Sequence, residues 1–141
     1  MARSLLLIIL TAFITTLGAG TANAQANRRF LGLWEGVDIN DGSKRTISIT
    51  DLDGDGTFEV MARDSFWTLC NGDRGLESAT GRVGRDGVLE THGLVTCFDG
   101  APPQRVQQTY EFVRREDTLL ATPHGTMPTL RSIVLHRVSS R

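Results

Sequence analysis

Four carboxylates fall within nine residues of this sequence: Asp51, Asp53, Asp55 and Glu59, with Gly54 and Gly56 among them. A hard cation such as calcium takes six to eight oxygen ligands. Alternate residues of a curled loop can aim their side chains at one centre, and glycine permits the sharp turn that this needs. Carboxylates held so close repel one another unless water screens them or a cation joins them. The same Asp-Gly-Asp-Gly run is also a good turn, because aspartate and glycine tolerate the positive φ of tight hairpins. Two readings stay open, a weak calcium loop and a metal-free acidic hairpin.

An EF-hand would place a bidentate glutamate at the twelfth position, where Ala62 stands, and would flank the loop with helices. Here both flanks read as strands. The spacing resembles the strand–loop–strand calcium loops of integrin-type β-propellers, with Glu59 in place of the usual aspartate. That resemblance covers nine residues. It implies cation chemistry at the loop and not a propeller.

Other chemistry is sparse. His92, His124 and His136 share no ligand spacing. No serine sits in a Gly-x-Ser-x-Gly elbow, and no glycine-rich phosphate loop leads into a helix. Glu35, Asp64, Glu77, Glu90 and Glu111 could pair across strands, though solvated strand faces are their ordinary use. An enzyme is the lesser expectation. Trp34, Phe66, Trp67 and Tyr110 either fill a core or line a cavity for a small apolar ligand.

The N-terminus reads as an export signal. Arg3 supplies the positive start, residues 5–17 an apolar stretch too short to span a bilayer, and Ala22-Asn23-Ala24 a cleavage site. The expectation is a signal peptide over 1–24 and a single domain over 25–141 that is secreted or periplasmic, with no later membrane span. The whole chain carries a formal net charge of −1 with both signs interspersed. No basic stripe points to nucleic acid. In an oxidising compartment Cys70 and Cys97 read as a disulfide rather than a reactive pair. Closing a loop of about 28 residues, it would contribute about 3–4 kcal/mol in the chain-entropy model.

The elements that must position these groups are strands. Alternation is clean over 45–50, where Ile47 and Ile49 share a face, and over 57–63, where Phe58, Val60 and Ala62 do. Further strands are expected over 33–39, 65–70, 75–83, 88–91, 107–113, 118–121 and 132–138, with 94–98 either continuing 88–91 or pairing beside it. Loops are expected at 99–103 and 123–128. No stretch after the signal has a helical apolar stripe. Eight to ten short strands joined by tight turns indicate an all-β domain, a small antiparallel up-and-down β-barrel, with a sandwich as the alternative.

The segment Gly32-Leu33-Trp34-Glu35-Gly36 resembles the Gly-x-Trp start of lipocalin-like barrels. That resemblance implies a tryptophan closing the barrel base against an arginine near the C-terminus, for which Arg137 is the counterpart. The chain is shorter than a typical lipocalin and lacks the usual C-terminal helix. It also resembles uncharacterised secreted bacterial proteins that open with Leu-Trp-Glu-Gly and end in Leu-His-Arg-Val. The function expected is a non-enzymatic binding module for a small apolar molecule or a protein partner, calcium-stabilised on the first of the two readings of the acidic loop. The alternative is a periplasmic inhibitor of a protease or lysozyme.

Overall fold

The computed structural model describes residues 27–125 and 130–139, so the signal-peptide expectation and residues 126–128 of the expected 123–128 loop lie outside the described residues. Eight antiparallel strands close into a barrel in chain order. They are β1 (Gly32–Val37), β2 (Lys44–Thr50), β3 (Thr57–Asp64), β4 (Gly75–Val83), β5 (Leu89–Cys97), β6 (Gln104–Val113), β7 (Thr118–His124) and β8 (Ile133–Ser139). Closure is made by β1 against β8, pairing Trp34 with Arg137 and Gly36 with Leu135. Every strand edge is thereby given a partner.

Period-two patterning decides what faces in. Ile47 and Ile49 on β2, Phe58, Val60 and Ala62 on β3, and Leu119 and Ala121 on β7 all point inward. Together with Phe30, Leu89, Ile133 and Leu135 they form one continuous core.

One end of the barrel is shut. A 3₁₀ turn (Arg28–Phe30) inserts Phe30 edge-on to Phe58, with ring centres 6.1 Å apart. The Trp34 indole N–H donates to the Phe30 carbonyl at 2.9 Å. The Arg137 guanidinium lies 4.0 Å above the Trp34 ring and donates to the carbonyls of Leu31 and Arg29. Gly32 has a φ of +129°, and a side chain there would run into the Ser139 carbonyl. The glycine and tryptophan of the Gly-x-Trp segment thus have separate jobs: one clears the crossing of β1 and β8, and the other seals the base.

One strand expectation is corrected. Residues 65–70 are not a strand: they descend into a 3₁₀ turn (Thr68–Cys70), and Asn71 in the left-handed region (φ 54°) reverses the chain. The aromatic run there seats Trp67 in the barrel mouth instead of in a sheet. Of the two readings of 94–98, continuation holds: it runs on from 88–91 within β5, because Gly93 does not break the strand. Gly93 faces inward, where a Cβ would lie 2.5 Å from that of Ala79.

Candidate functional site

The loops at 38–43, 65–74 and 98–103, with residues 130–132, all belong to the end opposite the closed base. Three connections bind them together. The Thr68 hydroxyl donates to Asp41 at 2.8 Å, Asn40 exchanges hydrogen bonds with the backbone of Arg131, and Cys70 forms a disulfide with Cys97 at a Cα separation of 5.4 Å. The bridge joins the 3₁₀ turn after β3 to the end of β5. Trp67, beside it, is almost wholly buried, and its indole N–H donates to the Gly75 carbonyl at 3.1 Å.

Beneath Trp67 the barrel interior is polar. The Arg45 guanidinium sits 4.9 Å from the centre of the Trp67 ring. It donates twice to the Asp64 carboxylate, at 2.8 and 2.7 Å. Gln108 links this pair to the next layer. Its carbonyl oxygen accepts from the Tyr110 hydroxyl at 3.1 Å and meets Arg45 at 3.5 Å, and its amide donates to Glu77 at 2.9 Å. Glu77 has no exposed surface, and its second oxygen has no hydrogen-bond partner.

One guanidinium thus serves two buried carboxylates. Burial raises the Glu77 pKa to about 7, and the nearby Asp64 charge adds to this against the opposing pull of Arg45 and Gln108. Burial alone would lower the Arg45 pKa, but its bonds to Asp64 and the field of both carboxylates hold it above the ordinary value. Burial, and then the Glu77 charge, pushes the Tyr110 hydroxyl well up.

Above this network opens a cleft of about 470 Å³. Arg45, Asp64 and Gln108 border its deep side, and Trp67, Leu69, Val106, Pro123 and Leu130 its apolar walls. Asp38, Asp41, Arg105 and His124 also line it.

The four expected ligand-binding aromatics separate. Trp67 lines the cleft, with half-buried Phe66 beside it in sequence, and Tyr110 lies below, joined through Gln108. Trp34 belongs to the opposite end, under Arg137. Asp64 and Glu77, expected as solvated strand residues, are buried instead. Their phase signals it: Asp64 continues Phe58-Val60-Ala62, Glu77 precedes Ala79, and Arg45 precedes Ile47 and Ile49.

The acidic loop lies at the closed end. Asp55 accepts from the Thr57 backbone N–H and hydroxyl and pairs with Arg82 at 3.4 Å. These bonds, that of the Thr57 N–H first, hold its carboxyl below the ordinary value. Glu59 is exposed on β3, opposite Thr50 and Thr80. Asp51 and Asp55 line a cleft of about 430 Å³ with Asn27 and Arg28, and one Asp51 oxygen is buried with no partner. Among the described residues no three His, Cys, Asp or Glu side chains converge as metal ligands would. No helix among them is long and apolar enough to cross a membrane.

The fold and site define a closed eight-stranded antiparallel barrel with a sealed base and a cleft at its mouth. Compared with protein-family models, curated proteins and solved structures, the chain matches none.

Proposed function

We propose that this protein is an exported, non-enzymatic binding module that holds a small, mainly apolar molecule in the mouth cleft. The observation that carries this reading is a cleft with apolar walls above a buried polar floor. Binding sites for small molecules combine apolar walls with a few fixed polar groups in this way. The disulfide accords with an oxidising compartment. N-phenyl-1-naphthylamine, an uncharged apolar fluorophore, tests the reading. Its emission should rise on adding the mature protein and rise much less with Trp67→Ala. No rise, or an equal rise with Trp67→Ala, would refute it.

A weak calcium ion at the acidic loop belongs to the same proposal, in a narrower form. The unpartnered oxygen of Asp51 supports it, with Asp53 and Asp55 as the neighbouring ligands. Glu59, on the outer face of β3, is not part of this narrower set. Calcium at about ten times its dissociation constant would add about 1.4 kcal/mol. The expected outcome is a melting temperature a few degrees higher in millimolar calcium than in chelator, with the difference lost in Asp51→Asn.

A second reading, a protein inhibitor that docks by the mouth loops, is favoured by Ile39, Leu69 and Phe98, which are exposed on three of those loops. Inhibition of a protease or lysozyme that persists in Trp67→Ala would favour it over the small-ligand reading.

A further inference from the structure

We infer that the ligand of the mouth cleft is an organic cation, an ammonium group on an apolar body. This rests on the small-ligand reading above and names its chemical class. The buried charged side chains among the described residues are Asp38, Asp64 and Glu77 against Arg45 alone, all in the mouth half of the barrel. Asp64 is neutralised by its two bonds from Arg45.

Asp38 has no such partner. It lines the cleft with 8% of its surface exposed, and one of its oxygens takes both bonds from Asn40, whose groups are uncharged. Among the described residues no cation pairs with it. Glu77, below the cleft, accepts a hydrogen bond through one oxygen from Gln108, which borders the cleft, and its other oxygen has no partner. Asp41 and Arg105, one charge of each sign, also line the cleft.

A buried carboxylate without a counter-charge is costly, and a ligand carrying one positive charge would relieve that cost. An anionic ligand would add to it. Burial, and after it the fields of Asp38 and Asp41, push the Asp64 carboxyl above its ordinary value despite Arg45. Trp67 supplies an aromatic surface of the kind that attracts cations and already holds one in Arg45.

The groups facing Glu77 are Arg45 from β2, Asp64 from β3, and Gln108 and Tyr110 from β6. A bound cation favours the ionised form of Glu77, so binding should release its proton.

The test is a calorimetric titration of the mature protein with hexyltrimethylammonium, 1-hexanol and hexanoate, three probes of equal chain length and charge +1, 0 and −1. The ammonium should bind about tenfold more tightly than the alcohol, and the carboxylate more weakly than both. The preference should fall away in Asp38→Asn. The ammonium affinity should rise severalfold between pH 6 and pH 8 and stay flat in Glu77→Gln. If the alcohol binds as tightly as the ammonium, or the carboxylate more tightly, the inference is overturned while the small-ligand reading stands. If none of the three binds, both fall. Should Asp38→Asn not fold, the pH dependence of wild type against Glu77→Gln decides alone, and an unchanged rise in that variant overturns the inference.

Discussion

At the scale of single residues, Glu77 has the most direct thermodynamic consequence. It is fully buried and binds its proton more tightly in the fold than in the unfolded chain, with a pKa of about 7 against an ordinary 4.5. The stabilisation this gives is complete below the unfolded pKa and is lost as pH rises through about 7. The barrel should therefore be less stable at pH 8 than at pH 5 by an amount of order 3 kcal/mol from this group. Glu77→Gln should remove most of that slope and be the more stable form at pH 8. Urea denaturation across pH checks it, and an unchanged slope in the variant would show that another group sets it. Arg137 acts by geometry. Its loss would leave the Leu31 and Arg29 carbonyls short of a donor and the Trp34 ring uncovered. Arg137→Ala should cost about 2–4 kcal/mol in the same assay and leave ligand binding at the far end intact.

At the scale of elements, the mouth depends on the segment that carries Trp67. The disulfide holds that segment to the end of β5, so Cys70→Ala with Cys97→Ala should lower stability by about 2–5 kcal/mol. The backbone amides of 67–73 should then exchange with solvent faster than those of β2, which hydrogen-exchange mass spectrometry can read. The strands themselves were legible wherever alternation was regular, as in 45–50 and 57–63. Alternation failed as a guide at Ser65-Phe66-Trp67-Thr68-Leu69-Cys70, where the aromatics serve a plug and the turn depends on a left-handed Asn71. It left open whether a strand ran through Gly93, where glycine allows close approach of neighbouring strands instead of ending one. The disulfide partners could be paired from the compartment and the count of two. What the bridge fastens could not, because that depends on the plug.

At the scale of the whole molecule, the two ends of the barrel divide the work. Phe30, Trp34, Phe58 and Arg137 close one end by aromatic packing and hydrogen bonds to backbone carbonyls. Arg45, Asp64, Gln108 and Glu77 keep the other half polar inside, under a stapled tryptophan. The buried network was legible only in part. The inward phase of Arg45, Asp64 and Glu77 is written in their strands, but that Gln108 links the Arg45–Asp64 pair to Glu77 is a property of closure, which brings β2, β3, β4 and β6 around one interior. The chain has two tryptophans, one at each end, and their indole N–H groups can be followed separately by nuclear magnetic resonance. Titration with N-phenyl-1-naphthylamine should shift the Trp67 signal and leave that of Trp34 in place. A shift at Trp34 alone, or none at either, would contradict a ligand site at the mouth.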